Sequence, residues 1–82
     1  MEYAWDLFLK QNRQCALTGL PLTIAMHGNG NASLDRIDSL LGYEEGNVQW
    51  VHKHINLMKN ALDENYFIKM CSLVAVNATQ SE

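Results

Sequence analysis

The pattern that most constrains the fold lies in the middle of the chain, where a strand pattern changes to a helix pattern without a linker. The segment Asn47–Val51 has the composition of a β-strand. From His52 to Leu62 the apolar residues follow a helical period, with Ile55 and Met58 on one stripe. The alternation of polar and apolar residues after Ala32 predicts an earlier strand. The sequence therefore predicts two strands and a helix that folds back across them.

The N-terminal part of the chain has weaker signals. Spacings of three and four between Trp5, Phe8 and Leu9 predict an amphipathic helix over about 3–12. The apolar run Leu22–Met26 is a candidate short strand. It leads into His27–Asn31, the strongest turn signal of the chain, because Gly and Asn tolerate positive φ.

A final helix is predicted over about 64–76. Asp63 is placed to cap it, and Phe67, Met70, Cys71 and Val74 are expected to face inward. A chain of 82 residues is expected to form one domain. We therefore predict a single α+β domain with a core over about 15–60 and a helix at each end.

Composition excludes several functional classes. No apolar run approaches the ~18–20 residues of a membrane span. The acidic N-terminal residues do not resemble the basic start of a signal peptide, and Cys15 and Cys71 are too far apart to suggest a disulfide framework or a zinc site. These features predict a cytoplasmic protein with reduced thiols. A net charge of −3 by itself argues against nucleic acid as a partner.

The distribution of charge points the other way. No Asp or Glu occurs between Gly46 and Leu62, while Lys53, Lys59 and two histidines lie there. A locally positive helix is typical of a surface that contacts a phosphate backbone. Binding by so small a domain is expected to be weak, salt-sensitive and poorly specific.

Several polar residues of the hairpin and the helix have a spacing that suits chemistry. Asp35 and Asp38 lie on or just after the first strand, Asn47 opens the second, and Asn56 and Lys59 lie one turn apart on the helix. Carboxylate and amide oxygens from a strand and a helix are suitable ligands for a hard cation such as Mg²⁺.

Four sequence segments together resemble the HNH nucleases, the ββα-metal enzymes of phages, mobile introns and restriction systems. The segments are Ser33–Ser39, Gly42-Tyr43, Gly46–Val51, and Asn56 with Lys59. Family members have an Asp-His pair on the first strand and an Asn at the loop–strand junction, with a His or Asn nine residues later. They often have a Lys three residues beyond. The distances from Asn47 to Asn56 and from Asn56 to Lys59 match this frame.

The resemblance implies roles for individual residues. Asp35 and Asn56 resemble the two metal ligands, for Mg²⁺ or Mn²⁺, and Asn47 resembles the structural Asn that ties the loop to the hairpin, with Asp38 beside it. Arg36 occupies the position of the histidine that activates water. Because arginine stays protonated, Arg36 is a poor base but is suited to bind the scissile phosphate.

The base must therefore come from elsewhere. His52 is the preferred candidate, because histidine titrates near neutral pH and His52 is expected to share a helix face with Asn56. Asp38 is a second candidate, although a regular strand places it opposite Asp35. His27 reaches the site only if its loop folds over it. The residues predicted to contact DNA are Arg36, Lys53, His54 and Lys59.

The implied activity is metal-dependent hydrolysis of DNA phosphodiester bonds, with one strand nicked at a time. No structural zinc is expected, because the paired cysteines that hold it in many relatives are not present. By resemblance the source is a phage or a bacterium, and a phage or restriction protein is a candidate partner. The sequence leaves the oligomeric state undetermined. Two alternatives remain, an inactive ββα DNA-binding module and a small acidic interaction protein.

Overall fold

The computed structural model of the chain describes residues 2–24 and 30–80. Its elements are α1 (Glu2–Lys10), β1 (Ala32–Arg36), β2 (Val48–His52), α2 (Lys53–Lys59) and α3 (Glu64–Gln80). The predicted α+β arrangement of an antiparallel hairpin, a following helix and a helix at each end is confirmed. In the described residues, no helix has the length and apolar character needed to cross a membrane.

The two strands pair in one register. Ala32 lies opposite His52, and Asp35 lies opposite Gln49. Because side chains alternate between the two faces of a strand, Asp35 and Gln49 share one face, while His52 projects from the other. The register therefore determines which polar residues can meet.

The loop between the strands is tied to the hairpin by the side chain of Asn47, which is buried. Its Oδ1 accepts the backbone N–H of Asp38 at 2.9 Å. Its Nδ2 donates to the carbonyl oxygens of Asp38 at 3.1 Å and Gly42 at 2.8 Å. Gly46 precedes Asn47 with a φ of +90°, a conformation that favours glycine. These contacts fix the end of β1 relative to β2.

Helix α2 is shorter than the sequence predicts. It begins after His52, which is its N-cap and accepts the N–H of His54 at Nδ1 over 3.1 Å. It ends at Lys59, because Asn60 adopts a positive φ of 49° and donates its N–H to the carbonyl of Asn56. The helix therefore begins one residue later and ends three residues earlier than the predicted range 52–62.

The hydrophobic core lies where the segment after α1 meets the hairpin. The buried side chains Phe8, Cys15, Leu22 and Val51 form its centre. Trp50 packs edge-on against Phe8, with ring centroids 5.6 Å apart. This contact between Phe8 and Trp50 joins α1 to β2.

Cys15 has a second role in this core. Its Sγ accepts the backbone N–H groups of Thr18 and His52, both at 3.3 Å. Burial raises the pKa of the Cys15 thiol, but the hydrogen bond with the side chain of Thr18 and those with the backbone N–H groups favour the thiolate more strongly and lower that pKa overall. The thiol therefore links the turn after α1 to the end of β2.

Two sequence predictions differ from the structure. Residues 22–24 do not form a strand of the sheet. The N–H of Leu22 donates to the carbonyl of Arg13, and the carbonyl of Thr23 accepts the N–H groups of Asn31 and Ala32. Ala25 and Met26 lie outside the described residues, as does most of the turn that follows. The side chains of Met70 and Val74 are exposed and do not face inward. Helix α3 extends to Gln80, beyond the predicted end at residue 76.

Candidate functional site

A cleft of about 510 Å³ lies between the end of β1, the interstrand loop and the outer face of α2. It combines two cationic residues, one carboxylate and several amide or hydroxyl groups. The residues that line it are Ser33, Asp35, Arg36, Ser39, Tyr43, Lys53, Asn56, Leu57 and Asn60. The fold therefore brings four of the predicted site residues, Asp35, Arg36, Lys53 and Asn56, to one cavity.

Asp35 lies on β1 at the inner wall of the cleft and is only 3% exposed. One of its carboxylate oxygens, Oδ2, accepts hydrogen bonds from Nζ of Lys59 at 2.7 Å and from Nε2 of Gln49 at 3.0 Å. No donor within residues 2–24 and 30–80 is bonded to the other oxygen, Oδ1. The carboxylate thus has one oxygen held by the protein interior and one with remaining capacity as an acceptor.

Lys59 is the most deeply buried cation of the described chain, with 1% of its side chain exposed. Its Nζ donates to Oδ2 of Asp35, to Oε1 of Glu64 at 3.1 Å and to the carbonyl of Arg36 at 2.8 Å. These three acceptors use all the donors of an ammonium group. The predicted contact of Lys59 with DNA phosphate is therefore corrected to a contact inside the protein.

Gln49 completes this cluster. Its Nε2 donates to Oδ2 of Asp35 and, at 2.7 Å, to Oε1 of Glu64. The side chains of Gln49 and Lys59 therefore both bridge the carboxylates of Asp35 and Glu64. Burial lowers the pKa of Lys59, but its hydrogen bonds and charge interactions with Asp35 and Glu64 outweigh that effect and raise the pKa above its ordinary value. Lys59 therefore stays charged and offsets the charge of Asp35.

Asn56 faces Asp35 across the cleft from α2. Its Nδ2 donates to Oγ of Ser33 at 2.6 Å and to the carbonyl of Leu34 at 3.3 Å. Both hydrogen bonds use the amide nitrogen, so the amide has a fixed orientation. Its Oδ1 receives no hydrogen bond from the described residues.

The donor set is suitable for one hard cation. Oδ1 of Asp35 and Oδ1 of Asn56 are a carboxylate and an amide oxygen on walls of the same cleft. Mg²⁺ is commonly held by one or two protein oxygens, with water and substrate phosphate as its other ligands. No group of three or more His, Cys, Asp and Glu residues in the described segments could hold a metal ion. Among the described residues, the protein ligands of such an ion in this cleft would be Oδ1 of Asp35 and Oδ1 of Asn56.

Arg36 occupies the mouth of the cleft and also holds the loop. Its Nη1 donates to the carbonyl oxygens of Ser39 at 2.9 Å and Leu41 at 3.2 Å. Its guanidinium lies 5.5 Å from the centre of the Tyr43 ring, within the range of a cation–π contact. The guanidinium is thus positioned by Nη1, and Nε and Nη2 remain as donors for an anion.

The two histidines of the described chain lie away from the cleft lining. His52 belongs to β2 and projects from the face opposite Gln49, not from the helix face shared with Asn56. Its ring packs against the ring of His54, with centroids 4.9 Å apart. The expected common face of His52 and Asn56 is absent, because His52 ends a strand and does not belong to the helix.

The other predicted site residues have clear positions. Lys53 is exposed at the start of α2 and lines the cleft. Asp38 lies in the interstrand loop, where its Oδ1 accepts the N–H of Leu40 at 2.9 Å, and it does not line the cleft. His54 is exposed beside His52. His27 lies outside the described residues.

Sequence reasoning missed Gln49 and Glu64, which hold the Asp35–Lys59 pair. The sequence indication for Gln49 is its position near the start of the second strand, two residues after Asn47. When the two strands pair, this position lies opposite Asp35. The signal for Glu64 was weaker. It is the first residue of α3, five positions after Lys59, and the turn between α2 and α3 brings the two side chains together.

Comparison of this chain with protein-family models, with curated proteins and with solved structures finds no match.

Proposed function

We propose that the protein is a metal-dependent endonuclease of the ββα-metal type that hydrolyses DNA phosphodiester bonds, one strand at a time. The observation that carries this proposal is the common cleft of Asp35 on β1, Asn56 on α2, and the cations Arg36 and Lys53. Two oxygen ligands for a cation, next to two cationic side chains, are suited to stabilise the charge that develops on a phosphate during hydrolysis. The resemblance of the residue pattern to HNH nucleases supports the same conclusion.

Asp35 and Asn56 would hold the cation through their Oδ1 atoms. A bound Mg²⁺ or Mn²⁺ ion would polarise the phosphate and lower the pKa of a bound water. The Lys59–Gln49 side of Asp35 keeps Oδ2 engaged, so the carboxylate presents its other oxygen to the cleft. The hydrogen bond from Nδ2 of Asn56 to Ser33 fixes the side-chain amide and leaves Oδ1 of Asn56 as the atom for the cation.

The cationic residues bind the substrate backbone. Arg36 is anchored at Nη1 by the loop, so its remaining N–H groups bind a phosphate oxygen with little loss of conformational freedom. Lys53 is exposed at the rim and contacts a neighbouring phosphate. Neither contact reads a base, which agrees with cleavage of low sequence specificity.

The proposal assigns no histidine base. The described residues of the cleft lining include no histidine, and His52 projects from the other face of the hairpin. Among the described residues, none is assigned the role of accepting the water proton. His52 is therefore not proposed as the general base.

A supercoiled-plasmid assay tests the activity. The protein is incubated with Mg²⁺ or Mn²⁺, with and without EDTA, beside Asp35→Asn, Asn56→Ala and the control Asn65→Ala, which changes an exposed amide of α3. We expect nicking by the wild type and by Asn65→Ala, and loss of about 10²-fold or more for the two cleft variants. Nicking that survives Asp35→Asn or Asn56→Ala would come from a contaminant and would refute the proposal.

A second function, DNA binding without catalysis, is favoured by one observation. The negative charge of Asp35 is already offset by Lys59 inside the protein, which weakens its attraction for a divalent cation. Salt-sensitive retention of DNA without metal-dependent nicking would select this function. Absence of DNA binding at low salt would exclude both.

A further inference from the structure

Helix α3 carries apolar side chains into solvent along its second half. The exposed fractions of these side chains are 40% for Met70, 52% for Leu73, 68% for Val74 and 49% for Val76. No charged residue occurs in α3 after Lys69. A helix that is apolar on several sides is normally covered by another element, because its apolar area is stabilised by removal from water.

One side of this helix forms a groove with the end of α2. The wall that α3 contributes has the spacing of three and four that puts residues on one helical stripe, and its residues are Phe67, Met70, Cys71 and Val74. Met58 and Leu62 form the opposite wall, and the whole cavity measures about 380 Å³. We call these six residues the α3 groove. Only Phe67, at its inner end, is buried.

We propose that the α3 groove is the interface of a homodimer, in which α3 of a second copy packs antiparallel into it. An isologous contact places the same stripe on both sides, so the uncharged stripe of one copy meets the uncharged stripe of the other. Two such helices approach without burying an unpaired charge, although each chain has a net charge of −3. A charged partner surface lacks this match.

The available area agrees with a weak dimer. A helix of 17 residues is about 25 Å long. Antiparallel packing over most of that length would remove roughly 500–600 Å² from water on each copy, about 1,000–1,200 Å² in total, which only reaches the lower bound of the ~1,200–2,000 Å² typical of specific interfaces. The dimer is therefore expected to be weak and its population to depend on protein concentration. This inference does not depend on the proposed nuclease activity.

Sedimentation equilibrium of the full chain tests the proposal. We expect the mass to rise from the monomer value of 9.3 kDa towards twice that value between about 1 µM and about 1 mM protein. Val74→Glu is expected to stay monomeric throughout, since it puts a charge at the centre of the interface. Ser72→Glu is the matched control, because it adds the same charge to an exposed position about 160° from Val74 around the helix.

A cross-linking experiment provides a second measurement. Cys71 lies in the α3 groove, whereas Cys15 is buried. A short bis-maleimide is expected to join two wild-type chains through Cys71 and to leave Cys71→Ser and Val74→Glu uncoupled. A mass that stays at the monomer value up to the highest concentration would overturn the proposal. Equal dissociation by Ser72→Glu and Val74→Glu, with both variants folded by circular dichroism, would also overturn it.

Discussion

Nζ of Lys59 lies 2.7 Å from Oδ2 of Asp35, and both side chains are almost completely buried. The pair joins α2 to β1 across 24 residues of sequence, and the carbonyl of Arg36 and Glu64 complete the coordination of the ammonium. A buried ion pair of this kind adds modest net stability as a pair, but removal of one partner is costly because the other charge stays desolvated. The cluster therefore couples the fold to the orientation of the candidate metal ligand.

Lys59→Met tests this coupling. We expect the free energy of unfolding to fall by about 3–5 kcal/mol, because Asp35 loses its buried counter-ion. Lys53→Met on the same helix is the control; Lys53 is exposed, so a change within about 0.5 kcal/mol is expected. Denaturant titration measures both values. Similar small losses for the two variants would show that the buried pair does not contribute as described.

The same ion pair predicts how stability changes at high pH. The pKa of Lys59 is raised above its ordinary value of 10.5 in the folded state. Its contribution is therefore fully present below the unfolded-state pKa. It is lost as the pH rises through the higher folded-state pKa, because the unfolded chain releases its proton first. We expect the difference in unfolding free energy between wild type and Lys59→Met to decrease above pH 10.5 and to be constant between pH 8 and 9.5, as measured by urea titration. A difference that grows at high pH would contradict this sign.

Asn47→Ala should loosen the interstrand loop. The substitution removes three hydrogen bonds to the backbone of Asp38 and Gly42, and we expect a loss of about 2 kcal/mol. Asn65→Ala, at an exposed position of α3, should change stability by less than about 0.5 kcal/mol. Hydrogen exchange at the amide of Asp38 should accelerate in Asn47→Ala alone. Unchanged exchange there would exclude the role of Asn47 in holding the loop.

His52 variants separate a capping role from a catalytic one. His52→Ala removes the acceptor of the His54 N–H and should cost about 1 kcal/mol, whereas His52→Asn keeps an acceptor at the N-cap and should cost little. We expect His52→Asn to nick DNA at close to the wild-type rate, because His52 does not line the cleft. A loss of about 10²-fold in both variants would restore His52 as the general base.

Lys53 should contribute to DNA affinity through its charge. Lys53→Gln is expected to reduce the slope of log affinity against log salt by about 0.7–0.9, the effect of one phosphate contact. Lys69→Gln makes the same charge change on α3, outside the cleft, and should leave that slope unchanged. Fluorescence anisotropy with a short DNA duplex over a range of salt concentrations measures both. Equal effects of the two variants would indicate only nonspecific attraction by overall charge.

The sequence by itself determined the order and type of the two strands and three helices, although it also predicted a strand at 22–26 that residues 22–24 do not form. Alternation after Ala32, the strand composition of Asn47–Val51 and the helical period after His52 are local patterns, and local backbone preferences are set by neighbouring residues. The prediction for Asp63 had the same basis; its Oδ2 accepts the N–H of Tyr66 at 3.1 Å at the start of α3. The end of α2 was less clear, since the positive φ of Asn60 depends on where the chain must turn.

Only the tertiary structure decided which charges and amides meet. Helical spacing predicts that Lys59 contacts DNA phosphate. In the structure Lys59 is buried between Asp35 and Glu64, because three acceptors from β1 and α3 surround its ammonium group. Helical spacing also predicts that His52 lies beside Asn56, but the strand register puts it on the other face. Spacing along the chain fixes neighbours within one element. Contacts between elements depend on register, turns and the desolvation of charge, and these exist only in the folded molecule.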